Sequence, residues 1–130
     1  MENKEQEEGL ELMLKLDGQG LLPVVVQDCN TRDVLMLGYA NEQALRTTFE
    51  TGYATFYSRS RDEIWTKGLT SGNTLAIKDV RVDCDQDALI YLVEKTKGGA
   101  CHTLKENGDA RNSCFYRCVN SDFSLEFLEK

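Results

Sequence analysis

The chain has 130 residues, with 15 lysines and arginines against 22 acids and a net charge of −7 at neutral pH. That length fits one domain with a real core and is too short for two ordinary ones, while the acidic balance argues against nonspecific nucleic-acid binding, which needs a basic surface to neutralise phosphates. No window approaches the roughly 18 uninterrupted apolar residues of a membrane helix, and the acidic start, Met1 to Glu8, is the opposite of a secretory leader, so a cytoplasmic protein with no membrane partner is expected.

Residues 1 to 20 read as a partly flexible N-terminal extension, 21 to 120 as the domain and 121 to 130 as a tail. Residues 1 to 9 are charged and read as disordered or loosely attached. Leu10 to Leu16 alternates as a strand does, but Met13 with Leu10 and Leu14 also permits a helix, and both readings stay open. Leu22 to Val26 is a β-branched strand with Pro23 near its start, where a missing donor does least harm. Asp28 to Asp33 is a turn, and Val34 to Tyr39 completes a hairpin; Cys29, in the connection, has no evident partner. Asn41 to Glu50 is the one clear helix, with Asn41 as N-cap, Gly52 as a left-handed stop and Ala44, Leu45, Thr48 and Phe49 as its buried stripe.

Ala54 to Ser58 alternates as a strand. Beyond it Arg59, Arg61 and Lys67 reverse the local sign of charge around Trp65, the only tryptophan. Arginine forks suit phosphate and an indole face suits stacking on a base; the alternative is a solvated hairpin with Trp65 in the core. Ser71, Gly72 and their neighbours form a turn whose backbone donors sit near the same ligand. Thr74 to Val82 and Ala88 to Val93 are strands flanking Asp83-Cys84-Asp85-Gln86-Asp87. If that run is extended, Asp83, Asp85 and Asp87 point one way, an oxygen-rich site for magnesium or calcium, and Cys84 points the other, a soft ligand suited to zinc. The alternative is a solvated acidic turn with buried thiols, and the calcium loop of EF-hands is excluded by its missing glycine and closing glutamate.

Lys97 to Ala100 is a flexible approach to Cys101-His102, and Lys105 to Asn112 a polar loop. Ser113 to Val119 reads as the last strand, with Cys114, Tyr116 and Cys118 sharing a face, and Ser121 to Lys130 as one or two amphipathic helical turns. Five cysteines, an odd number without a leader, favour reduced thiols and metal binding over a disulfide framework. The fold expected is α+β, mainly β: a small twisted sheet with one clear helix.

Several pieces together carry a family resemblance: Leu-Pro-Val-Val-Val-Gln-Asp at 22 to 28, Val-Leu-Met-Leu at 34 to 37, Ser-Arg-Ser-Arg at 58 to 61, Trp65 with Lys67-Gly68, Ser71-Gly72, the acidic run at 83 to 87, Ala-Cys-His-Thr at 100 to 103 and Ser-Cys-Phe-Tyr-Arg at 113 to 117. In this order they resemble the phosphoribosyl-AMP cyclohydrolases of histidine biosynthesis, which open the adenine ring of N1-(5-phosphoribosyl)-AMP. The resemblance implies an intertwined homodimer, a catalytic zinc on Cys84, Cys101 and Cys114 with ligands drawn from both chains, magnesium on Asp83, Asp85 and Asp87, and His102 as the proton-transferring group. With that substrate, the residue chemistry above makes zinc-bound hydroxide the expected attacker at carbon 6 of the base, and Arg59, Arg61, Trp65, Lys67, Ser71 and Gly72 the expected nucleotide contacts. Two departures stand out. Asn73 occupies a position where the family usually has histidine, and residues 106 to 111 look like an insertion. The competing function is a small non-catalytic zinc-stabilised binding module, with Cys118 or His102 as a fourth ligand closing the site.

Overall fold

A computed structural model describes residues 4–128. Its elements are α1 (Lys4–Glu8), β1 (Leu22–Asp28), β2 (Val34–Ala40), α2 (Glu42–Thr51), β3 (Thr55–Ser58), β4 (Glu63–Thr66), β5 (Leu75–Val82), β6 (Leu89–Lys95), β7 (Arg117–Val119) and β8 (Leu125–Phe127). The α+β, mainly β class is as expected. A four-stranded open sheet in the order β2-β1-β6-β5 carries the core, and two ribbons, β3-β4 and β7-β8, flank it.

β1 shows why this sheet forms. Its residues alternate strictly, with Leu22, Val24, Val26 and Asp28 buried and the residues between them half-buried, so one face packs on the core. The hairpin with β2 is antiparallel and carries a bulge between Val26 and Gln27. β6 joins β1 in parallel, Val24 opposite Leu89 and Asp28 opposite Val93, and that geometry needs a long crossover, supplied by α2 and the β3-β4 ribbon. β6 then pairs antiparallel with β5. Phe56, Tyr91, Leu35 and Leu75 fill the middle of the core, with the Phe56 ring 5.6 Å from Tyr91 and 5.2 Å from Trp65.

The helix has the caps expected. Asn41 accepts a hydrogen bond from the Ala44 amide, and Gly52 at φ +81° sends its own amide to Thr48. Ala44, Leu45 and Thr48 are buried, whereas Phe49 is 63% exposed and is no part of the core. The ten-residue helix has room for only a narrow buried stripe, and Phe49 instead lines a surface groove with Leu12, Leu14, Leu16 and Leu45.

Four expectations for the ends of the chain are corrected. Residues 4 to 8 form a helical turn, and residues 10 to 16 are neither strand nor helix. They are tied down by Gln86, whose side chain accepts from the Met13 amide at 2.7 Å and donates to the Gln6 carbonyl at 2.8 Å, while the Lys15 amide donates to the Gln86 carbonyl. Only 117 to 119 of the expected last strand is strand; residues 113 to 116 leave the pattern because β2's edge captures them. The expected C-terminal helical turn is β8, hydrogen-bonded to β7 in a hairpin; positions 129 and 130 lie outside the described residues.

Candidate metal centre

The acidic run is a hairpin turn, not an extended strand. The Asp83 amide donates to the Ala88 carbonyl and the Gln86 amide to the Asp83 carbonyl, with Gln86 at φ +58°. The Asp83 side chain closes the turn by accepting from the Asp87 and Ala88 amides at 2.9 and 3.1 Å. Asp83, Asp85 and Asp87 converge nonetheless, each offering an oxygen within 4.8 Å of the others. The expected convergence holds, but a turn rather than strand alternation produces it.

Crowding of like charge is visible in the acidities. Hydrogen bonds shared with Asp83 and Asp85, then partial loss of water and the two neighbouring charges, push the Asp87 carboxyl up to about 6. Burial alone would raise Asp83, but the hydrogen bonds it receives from Asp87, Asp85 and Ala88 hold it below the usual carboxylate range. Among the described residues no lysine, arginine or histidine forms an ion pair with the three. A hard cation is what such a donor set accommodates.

The thiols are assembled differently. Residues 100 to 103 run against 111 and 112, with Ala100 donating to the Asn112 carbonyl, Cys101 to Arg111 and Arg111 to Thr103. Gly99 is required for this approach, since a Cβ there would stand 2.1 Å from the Arg111 carbonyl oxygen. The second arm is pinned to the sheet edge, where the Cys114 amide donates to Leu35 at 2.7 Å and the Ser113 hydroxyl to Val34 at 2.6 Å. Cys101 and Cys114 are thereby brought near enough for each thiol to act on the acidity of the other. Burial alone would raise the Cys101 thiol, but bonds to the Thr103 hydroxyl and amide, then Cys114 and the Lys67 charge, bring it below its ordinary value. Loss of water around the sulfur and then the Cys101 thiolate push Cys114 up to about 11. The Lys67 charge lowers both, so its field reaches the pair.

Cys84 does not join them. Among the described residues only the three aspartates form a group of three metal-ligating side chains, and Cys84 is exposed on the acidic turn. His102 is exposed, adjacent in sequence to the buried Cys101, and makes no hydrogen bond with the described residues. Cys118 is exposed on β7, and Cys29 is half-buried, its amide bonded to Val93.

The nucleotide-contacting set divides into two groups. Lys67 stands at the thiol end of the β3-β4 ribbon, its amide bonded to Ala54, and Ser71 and Gly72 follow in a loop whose closure depends on Gly68, where a Cβ would lie 2.3 Å from Asn73. Arg59 and Arg61 stand at the opposite end, separated by the four residues of β4, about 13 Å at the usual rise of a strand. Arg59 lies 4.2 Å over the Tyr39 ring and Arg61 is 3.8 Å from Glu63. Trp65 takes the hairpin-core packing, half-buried against Phe56, leaving part of its surface open. Sequence reasoning missed Thr103 and Gln86. The hydroxyl two residues past Cys101 was the available signal for the first, whereas Gln86 announces itself only through its partners in the N-terminal segment.

A family model described as phosphoribosyl-AMP cyclohydrolase matches residues 36–116, which include both clusters and the ribbon. A phosphoribosyl-AMP cyclohydrolase of Haloarcula marismortui is 57% identical over 109 residues, covering 84% of this chain and 85% of the relative. Another, of Archaeoglobus fulgidus, is 51% identical over 109 residues, covering 84% and 94%. A histidine biosynthesis bifunctional protein of Aquifex aeolicus is 51% identical over 111 residues, 85% of this chain and 51% of that longer protein. With a family model spanning more than half its length and relatives of this identity, the chain belongs to the phosphoribosyl-AMP cyclohydrolase family.

Proposed function

We propose that this chain catalyses the cyclohydrolase step of histidine biosynthesis, opening the adenine ring of N1-(5-phosphoribosyl)-AMP between nitrogen 1 and carbon 6. Family membership supports the reaction, and the observation that carries the site is the pairing of Cys101 with Cys114 within the field of Lys67, with His102 next to Cys101 in sequence. Two neighbouring thiols fit a soft ion such as zinc, and three converging carboxylates fit magnesium. Cys84 completes the zinc set when it comes from a second copy. In support, Phe115, Val119, Phe123 and Leu125 expose apolar surface of a kind that usually marks an interface. The working unit in this reading is a homodimer in which Cys101 and Cys114 of one chain and Cys84 of the other would hold the zinc.

Substitution at nitrogen 1 leaves carbon 6 electron-poor. Water adds at carbon 6, the bond to nitrogen 1 breaks, carbon 6 becomes the carboxamide carbon and nitrogen 1 leaves with a proton. Zinc, when bound, supplies the Lewis acidity that makes water a nucleophile near neutral pH. His102, exposed and next to a ligand, accepts the proton that water gives up and returns it to nitrogen 1. Asp83, Asp85 and Asp87 would hold magnesium, which would offset phosphate charge. Lys67, Ser71 and Gly72 meet the nucleotide near the thiols, and Arg59, Arg61 and the open part of Trp65 meet it at the far end of the ribbon.

The test is His102→Ala, followed by the ultraviolet change on ring opening and by metal analysis. Turnover falls by ~10² to 10⁴ while zinc stays bound; loss of zinc with the imidazole makes His102 a ligand and removes it from this role. A closed, non-catalytic zinc module would retain metal and leave the spectrum of the substrate unchanged.

A further inference from the structure

On the far side of the Ser71–Asn73 turn lies a cavity of about 630 Å³ whose lining includes Lys95, Lys97 and Lys105. We propose that this cavity binds a phosphate monoester of the nucleotide, with Lys97 as its principal cation, a subsite that deepens the function proposed above and rests on it.

Charge is the first argument. In a chain of net charge −7, three lysines and one acid, Asp109, line the same concavity, so the local balance of charge is opposite to that of the whole. The three lysines are not equivalent. Lys95 is engaged, bonded to the Asn112 side chain and 3.9 Å from the buried Asp28 carboxylate. Lys97 is exposed and forms no ion pair among the described residues, so its charge is available to a ligand.

Geometry is the second. The Lys97 ammonium lies over Gly72, 3.5 Å from where a Cβ would be, which leaves the ammonium free to sit against the backbone of the turn. Asn73 fixes the opposite wall by accepting from the Gly98 amide at 3.0 Å, and a Cβ on Gly98 would meet that oxygen at 2.9 Å. The Ser71 hydroxyl accepts from the Asn73 amide and keeps its own proton to donate. A compact ammonium beside a hydroxyl whose proton is free to donate is a phosphate site of the lysine type. Gly99, in the lining, is two residues before Cys101, within roughly 8 Å along the backbone, so a phosphate held here stays close to the thiols.

Lys97→Ala is measured against the wild-type protein in two ways. In steady-state turnover the KM for N1-(5-phosphoribosyl)-AMP rises about tenfold, the scale of one charge-assisted hydrogen bond, with kcat and zinc content unchanged. In magnesium-free amide NMR at constant ionic strength, inorganic phosphate shifts the Gly98 and Gly99 signals of the wild type and not of the variant. A KM within twofold of an active wild type, or glycine signals that phosphate leaves in place, overturns the subsite. A wild type that binds phosphate at Gly98 and Gly99 but opens no ring contradicts the proposed function and leaves the subsite standing.

Discussion

The two clusters are built in opposite ways. The carboxylates come from five consecutive residues closed by a hairpin turn, and every interaction that shapes them lies in that turn or in the segment Gln86 straps to it. The thiols come from two arms, one returning on itself through Gly99 and Ala100 and one pinned to β2, and their third candidate stands elsewhere. A local cluster forms whenever its hairpin forms. A cluster of distant parts forms only when the tertiary structure is complete, and in the proposed reading only when two chains have met.

Perturbing each cluster should expose this difference. The largest effect is expected from Cys114→Ser: zinc is lost and turnover falls beyond the ~10²-fold typical of groups that merely support a ligand, while magnesium binding at the aspartates is unchanged. Metal analysis with a magnesium titration checks both halves. Gly99→Ala should act on the same cluster from a distance, because its Cβ stands 2.1 Å from a carbonyl oxygen and the arm carrying Cys101 must move. The expectation is about 1–3 kcal/mol of destabilisation by chemical denaturation, with weaker zinc retention and the acidic turn intact.

The smallest effect concerns the aspartates. Asp87 is held up at about 6, so a cation must displace its proton at lower pH. The sign follows directly: magnesium affinity is full above that value and falls as pH drops through it, and Asp87→Asn removes this pH dependence along with part of the affinity. Calorimetric titration of magnesium between pH 5 and pH 8 reads it. An affinity flat across that range would contradict the clustered arrangement.

The same contrast sets what was legible in the sequence. β1 was readable because its alternation is strict and β-branched, and α2 because Asn41 and Gly52 mark its ends. The carboxylate cluster was readable from adjacency alone, although a left-handed Gln86 and an Asp83-capped turn bring it together instead of a strand. What failed depended on partners distant in the chain. Ser113 and Cys114 alternate like strand residues, yet the carbonyls of Val34 and Leu35 capture them as an irregular arm. Phe49 repeats with the helix stripe, yet the core is already filled and it faces the N-terminal leucines. The final segment has apolar residues at helical spacing, and β7 takes it as a strand partner. Residue type alone marked Cys84, Cys101 and Cys114 as candidate soft ligands, but the loop that brings Cys101 toward Cys114 is set by Gly99 and by the edge of β2, which no local pattern announces.

The claim on which the rest depends is that a zinc site is completed across two chains, and subunit mixing tests it most directly. Cys84→Ser and Cys101→Ser proteins, each inactive alone, are unfolded together and refolded as a mixture. In a shared arrangement a mixed dimer contains one site with all its thiols, the Cys101 and Cys114 of one copy and the Cys84 of the other. Zinc and ring-opening activity should then return in the mixture, in the fraction that mixing provides. A mixture as inactive and as metal-free as its components would contradict the account.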